Sequence, residues 1–190
     1  MPRESNRSDQ RGANAGGDIV GRDKIVLQLP ATAPSRAISR WLKKLRQELE
    51  SDASIRHTID KLQRYSQKKS SDGIAGLEAK LHAAGRDDEL LDALEKKELF
   101  SKELERWSLY PSAQEILGHL LAKTEHEFRM NVLPYVGSLS RGEINRIVSS
   151  LIITPMVEDC SDDPLNFDHS TIMGMVYWLA EQCFVQWHRK

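Results

Sequence analysis

The amino-acid sequence predicts an all-α protein, an irregular bundle of six or seven helices preceded by a disordered tail and a short extended, β-hairpin-like arm. Three observations predict this class. Apolar residues recur at helical spacing through most of the chain, helix caps and breakers divide that stretch into segments, and 39% of the 190 residues are hydrophobic. We expect a tail over residues 1–16, a glycine-rich arm and linker over 17–34, and one helical domain over 35–190.

The N-terminal arm has a pattern that is not helical. In the sequence GDIVGRDKIVLQL, which begins at Gly17, glycines permit tight bends and β-branched residues favour extended backbone. Short extended segments expose unpaired backbone donors and acceptors, so they can add as strands to another chain or to copies of themselves. The arm is therefore predicted to be an assembly element, with a linker of no separate role as the alternative. Strand pairing is assigned to Ile19, Val20, Ile25 and Val26.

The first half of the helical domain shows four helical segments. From Ser35, a candidate N-cap, apolar residues follow the i, i+3, i+4 and i+7 spacing of one helix stripe, and the pattern returns after residues 51–54. A third helix ends at Gly85, and a long charged helix runs from Asp87 to about Trp107. The predicted apolar positions are Ile38, Trp41, Leu42, Leu45 and Leu49, then Ile55, Ile59, Leu62 and Tyr65, then Leu90, Leu91, Leu94, Phe100, Leu104 and Trp107.

The second half is divided by a proline and two capping signals. Pro111 has the first-turn position that proline tolerates, and its helix is expected to stop near Pro134. The sequence SRGE at Ser140 matches a capping box, and Asp168 is the candidate cap of the last helix. That helix, with apolar residues at helical spacing as far as Trp187, is apolar almost all round, which indicates burial on more than one side; Gly174 permits close packing. Helix packing, in the core or against another subunit, is assigned to Met175, Trp178 and Trp187.

The net charge of −1 hides an uneven distribution of charge. Arg36 to Lys69 holds ten Lys and Arg against four Asp and Glu, a net +6, whereas residues 70–190 hold twelve against twenty, a net −8. Because such a basic segment can contact phosphates, a nucleic-acid-binding helical module using residues 36–69 is the alternative function. The same charges also suit the outer face of an amphipathic helix, the chain's own acidic half, or an acidic partner. The candidate residues are Arg36, Arg40, Lys43, Lys44, Arg64, Lys68 and Lys69.

Motifs for catalysis and cofactor binding are sparse. No glycine-rich stretch continues into the Lys and Ser or Thr of a Walker motif, and Cys160 and Cys183 form no CxxC pair. Glu115 and His119 can share a helix face, a weak signal for a metal site against the simpler interpretation of a solvated face. We therefore expect no enzyme, cofactor or metal. Without a membrane-spanning run or a secretory signal, we expect a cytoplasmic protein.

Several segments resemble a known family. The arm GDIVGRDKI resembles a short glycine-rich element that precedes the C-terminal domains of bacterial conflict-system proteins. The helical body is similar to the C-terminal domain of ABC three-component systems, predicted antiviral assemblies of an effector, a small middle component and an ATPase of the SMC or Rad50 type, related to Lamassu defence. The similarity covers roughly residues 16–190 and rests on IDKLQRYSQ, GLEAKL, KKELFSKELE, SAQEILGHLL, FRMNVLPYV and IMGMVYWLAEQCFVQW.

The resemblance implies a role within a complex. It suggests a non-catalytic subunit or adaptor of a bacterial antiphage defence complex, which docks onto an SMC-like ABC ATPase or the middle component and couples sensing to an effector. It implies no effector activity for this chain, because this domain usually follows a nuclease or peptidase in the family, and only a short tail precedes it here. The implied partners are the ATPase, the middle component, a second copy bound through the arm, and DNA indirectly; no membrane is implied.

Overall fold

A computed structural model describes residues 36–54, 58–69, 73–160 and 164–188, all within one compact unit. These residues form eight α-helices and no strand. The helix over residues 141–148 continues without a break into the helix over residues 154–160, so the described part of the chain contains seven helical segments. This confirms the predicted all-α bundle of six or seven helices. The predicted tail, the arm with Ile19, Val20, Ile25 and Val26, and the cap at Ser35 lie outside the described residues.

The helices follow one another along the chain with short connections. A 3₁₀ turn at Asp87–Glu89 leads into α4, a π turn at Phe128–Val132 and a 3₁₀ turn at Leu133–Tyr135 extend α5, and a π turn at Ser149–Ile153 joins α6 to α7. The helices are α1 (Arg36–Glu50), α2 (Asp60–Ser66), α3 (Leu77–Ala83), α4 (Leu90–Trp107), α5 (Pro111–Glu127), α6 (Arg141–Val148), α7 (Thr154–Cys160) and α8 (His169–Glu181).

Helix α8 lies in the core of the bundle and packs most extensively against α4. The two backbones meet at Gly174, where an added Cβ would stand 2.8 Å from the carbonyl carbon of Lys96 and closer still to its oxygen. Cβ of Phe100 would also lie close to this added Cβ, at 3.1 Å. This geometry confirms that Gly174 permits close packing, and it confirms the burial of α8 on more than one side.

The chain beyond α8 differs from the prediction, which continued helical spacing to Trp187. The helix ends at Glu181, and Cys183 has a φ of +65° in the left-handed region. The N–H of Cys183 donates to the carbonyl of Ala180, and the N–H of Phe184 donates to that of Leu179. This is a Schellman motif with cysteine in the place that glycine usually takes. After this turn, the side chains of Phe184, Val185 and Trp187 pack into the core.

Several helix ends are capped by side chains. Ser140 and Glu143 form the predicted capping box at α6, and the carboxylate of Asp168 caps α8 as predicted. Two caps are supplied across the bundle. Glu181, at the end of α8, accepts a hydrogen bond of 2.8 Å from the backbone N–H of Leu77, and the buried Lys80 of α3 donates one of 2.6 Å to the carbonyl of Ala180. Glu181 therefore satisfies a backbone N–H at the start of α3, and Lys80 adds a second donor to a carbonyl that already accepts the N–H of Cys183.

Removal of the α8 cap is expected to lower stability in a pH-dependent way. The Thr171 backbone N–H donates to Asp168 Oδ1 at 2.7 Å, and this bond, with that from the Thr171 hydroxyl, holds the pKa of Asp168 below its ordinary value of 3.8. The ionised carboxylate of Asp168 therefore stabilises the fold fully above its ordinary pKa of 3.8. This stabilisation is lost as pH falls through the lowered pKa of the folded state. Asp168→Ala should cost about 1 kcal/mol at pH 7, measured by urea unfolding, and the difference from wild type should shrink below about pH 4. Asp168→Asn is the control, because asparagine caps without a charge; an equal loss in both variants would contradict the account.

Candidate functional site

The three C-terminal residues predicted for helix packing lie inside or against this domain's own core. Met175 and Trp187 are buried, and the ring of Trp187 stands edge-on to Phe128 with centroids 5.0 Å apart. Trp178 is partly buried, and its ring meets that of Phe100 at 5.9 Å. The described contacts of these residues are therefore contacts within the chain. Of the three, Trp178 is the one with a part of its side chain at the surface.

The basic residues of the alternative function divide into two groups. Arg40, Lys43 and Lys44 are exposed on α1, and none of them forms an ion pair with the rest of the described chain. The side chain of Arg36 is outside what the structure describes. These three residues form the outer face of an amphipathic helix whose buried face, which contains Ile38, Leu42 and Leu45, packs against the bundle.

The second group of basic residues is paired with the chain's own acidic half. Lys68 Nζ lies 2.6 Å from the carboxylate of Glu181, and this bond raises the pKa of Lys68. Arg64 and Lys69 both reach Glu125, at 2.8 and 3.5 Å. Sequence reasoning named the basic residues but missed Glu125. Glu125 is about 60 residues from its partners along the chain, so only the fold brings them together.

The residues of the weak metal signal have other roles. Glu115 forms an ion pair with Lys61 at 2.8 Å, and the ring of His119 packs against Trp41 with centroids 5.8 Å apart. Burial lowers the pKa of His119, which favours its neutral form. Over the described ranges, no three His, Cys, Asp or Glu side chains are placed to hold a metal ion.

A cleft of about 430 Å³ lies beside the π turn that joins α6 to α7. Arg86, Lys96, His169 and Tyr177 contribute to its wall. The two cations are already paired within the chain, Arg86 with Glu89 and Lys96 with Asp92. Burial raises the pKa of Tyr177, so its hydroxyl stays protonated at neutral pH. The cleft has a mixed polar and apolar lining, and both of its Lys and Arg side chains are paired with carboxylates of the chain itself.

The most exposed apolar surface of the described chain lies on α4. Leu91 is 82% exposed and Leu99 is 43% exposed, and Leu94 is also exposed beside them. The sequence pattern grouped Leu91 and Leu94 with the other apolar positions of this helix, but the structure leaves both of them exposed. The buried side of α4 contains Ala93, Phe100 and Trp107, and Leu91 lies about 200° around the helix from Ala93. The core therefore covers the side of α4 that carries Ala93, and the leucines on the opposite side stay exposed to solvent.

Two acidic side chains lie among these leucines. Glu95 and Glu98 are exposed on the same side of α4, and no ion pair joins them to other described residues. We name the surface formed by Leu91, Leu94, Glu95, Glu98 and Leu99 the leucine–glutamate face. A face that carries both leucines and glutamates can bury its leucines against a partner and attract a basic one.

Comparison with known proteins identifies a family for this helical domain. The family model of C-terminal domain 9 (CTD9) of the ABC-three component (ABC-3C) systems matches residues 76–187, more than half of the chain. The matched range runs from the residue before α3 to the segment that returns after α8 and contains the whole leucine–glutamate face. No curated protein and no solved structure matches the chain. No helix of the described residues is long and apolar enough to cross a membrane.

Proposed function

Since the chain belongs to the CTD9 family of ABC-3C systems, which are conflict and defence systems, we propose that it is a non-catalytic adaptor within such a complex. In this proposal it docks onto the SMC-like ABC ATPase or onto the middle component, and the effector reaction belongs to another component. Docking couples the state of the ATPase to that effector. The extended arm, with Ile19, Val20, Ile25 and Val26, adds a second contact through strand pairing.

The leucine–glutamate face is the observation that carries this proposal. Leu91 and Leu99 leave apolar surface in water that a partner can cover, and burying one such side chain stabilises a complex substantially. Helix α4 is 18 residues long and presents this surface along one side, which suits docking of a helix into a groove. Because Glu95 and Glu98 lie among the leucines, the expected partner surface is an apolar groove that also carries Lys or Arg.

A double substitution on α4 tests the proposal. The variant Leu91→Gln/Leu99→Gln keeps the buried side of α4 unchanged but removes the two most exposed leucines of the face. Purified by a tag from the native operon, it should recover about tenfold less SMC-like ATPase or middle component than wild type, as measured by mass spectrometry of the intact complex.

The matched control is Leu109→Gln, which changes another exposed leucine outside the leucine–glutamate face. It should recover the same components as wild type. Undiminished recovery by the double variant would contradict the proposed docking surface. A purified wild-type protein free of both components would contradict the adaptor function.

A further inference from the structure

Three cationic side chains converge on one buried carboxylate between α2 and α5. Glu125 is only 6% exposed. Arg64 Nη2 lies 2.8 Å from Glu125 Oε2, Arg129 Nη2 lies 3.1 Å from Oε1, and Lys69 Nζ lies 3.5 Å from Oε1. The buried hydroxyl of Tyr65 donates to Oε2 at 3.0 Å. We name Arg64, Lys69 and Arg129 the Glu125 cation cluster.

The cluster holds more positive charge than its carboxylate neutralises. Three cations surround one anion, which leaves a surplus of two positive charges at this place. The side chains of Arg64, Lys69 and Arg129 are 53%, 44% and 61% exposed, whereas the carboxylate beneath them is buried. The surplus charge therefore faces solvent, while the negative charge does not.

Both arginines also have N–H donors that they do not use toward Glu125. A guanidinium has five N–H donors, and both Arg64 and Arg129 use only the terminal nitrogen Nη2 toward Glu125. Both Nη2 atoms lie 3.1 Å from the same oxygen, Oε1, so they are separated by no more than about twice that distance. Two guanidinium groups so close together can donate to different oxygens of one tetrahedral anion.

Two buried aromatic rings pack against these cations and hold them in position. The guanidinium carbon of Arg64 stands 5.1 Å from the centre of the Tyr65 ring, and Lys69 Nζ stands 4.5 Å from that of Phe184. Tyr65 stays neutral, because burial and the bond to Glu125 raise its pKa to about 12. Cations that are already fixed lose less conformational entropy when they bind a ligand.

The surface above the cluster has room for a small anion. A cleft of about 210 Å³ has Arg64, Tyr65, Glu125, Arg129 and the exposed His126 in its lining. Both aromatic rings in contact with the cations, Tyr65 and Phe184, are buried, so they offer no open face on which a nucleic-acid base could stack. The cleft therefore suits a phosphate group itself rather than the base or sugar attached to it.

We propose that the Glu125 cation cluster is a binding site for a phosphate group, carried by a nucleic-acid strand or by a nucleotide. Arg64 and Arg129 donate to phosphate oxygens, Lys69 adds charge, and Glu125 positions all three. This site goes beyond the adaptor function and shares no residue with the leucine–glutamate face. Sequence reasoning named Arg64 and Lys69 of this cluster, and the fold adds Arg129 and brings all three to Glu125.

Substitution of Arg129 tests the site with two probes. The full chain is titrated with a fluorescein-labelled 20-nucleotide single strand and, separately, with ATP, at low salt. Arg129→Gln should weaken binding about tenfold, since it removes charge-assisted donors but leaves Glu125 paired with Arg64. With the single strand as the probe, the slope of log K against log salt should also become less steep, by about the amount that one phosphate contact contributes. Lys69→Gln should weaken binding in the same direction.

The matched control is Arg106→Gln on α4. Arg106 is 67% exposed and lies near Glu103 on its own helix, as Arg129 lies near Glu125. It should bind both probes as wild type does, and equal thermal midpoints should show that all variants are folded. Loss confined to the strand assigns the phosphate to nucleic acid, and loss with both probes assigns the site to any phosphate group. Failure of wild type to bind either probe, or unchanged binding by Arg129→Gln and Lys69→Gln, overturns the proposal.

Discussion

Gly174→Ala is expected to destabilise the protein by about 3 kcal/mol or more, because α4 and α8 cannot keep their present separation. A methyl group at this position would lie 2.8 Å from the carbonyl carbon of Lys96, nearer to its oxygen, and 3.1 Å from Cβ of Phe100. The first two atoms belong to the backbone of α4, so no side-chain rotation relieves the overlap. Helix α8 must move away from α4, and this movement loosens the contact that organises the centre of the bundle.

Urea unfolding followed by circular dichroism measures this loss, and Gly142→Ala is the matched control. Gly142 also lies in a helix, α6, but a Cβ added there meets no atom within 4 Å. Alanine is the better helix former, so Gly142→Ala should be neutral or stabilising by at most about 1 kcal/mol. Equal stability changes in the two variants would show that the close approach at Gly174 is unimportant.

Features set by neighbouring residues could be predicted from the sequence. The capping box at Ser140, the cap at Asp168 and the proline at the start of α5 each depend on contacts within one helical turn, and the structure has all three. Gly174 could also be identified, because a lone glycine in an apolar helix has few roles other than close packing. Its partner, the carbonyl of Lys96, could not be identified from the pattern.

Features set by contacts distant in sequence could not be predicted. The leucines of α4 look like core residues by composition, and Leu91 is exposed because Phe100 and Trp107 fix which side of α4 meets the bundle. The left-handed turn at Cys183 carries no glycine to signal it. The Glu125 cation cluster joins α2 to α5, and its one local signal is the four-residue spacing of Glu125 and Arg129, which is common on exposed helices.

Arg86 is a second position where one side chain joins several elements. It is buried at the end of the turn after α3, where its Nε donates to Glu89 Oε2 at 2.9 Å and its Nη2 to Asn145 Oδ1 at 2.6 Å. Its guanidinium also stands 4.5 Å from the ring of Trp187, in the segment that returns after α8. Arg86 thus connects the start of α4, α6 and the C-terminal segment through one planar group with fixed donor directions.

Arg86→Ala is therefore expected to lower the free energy of unfolding by about 3 kcal/mol, since it breaks a buried ion pair and uncovers one face of Trp187. Tryptophan fluorescence during urea unfolding measures the change. Arg141→Ala is the control, because Arg141 is bonded to the same Glu89 and to Asp88 at the surface. Its loss should be much smaller, as exposed ion pairs contribute little. Arg86→Lys keeps the charge but not the planar fork, so it should fall between wild type and Arg86→Ala. If Arg141→Ala cost as much as Arg86→Ala, the shared carboxylate rather than the burial of Arg86 would account for both losses.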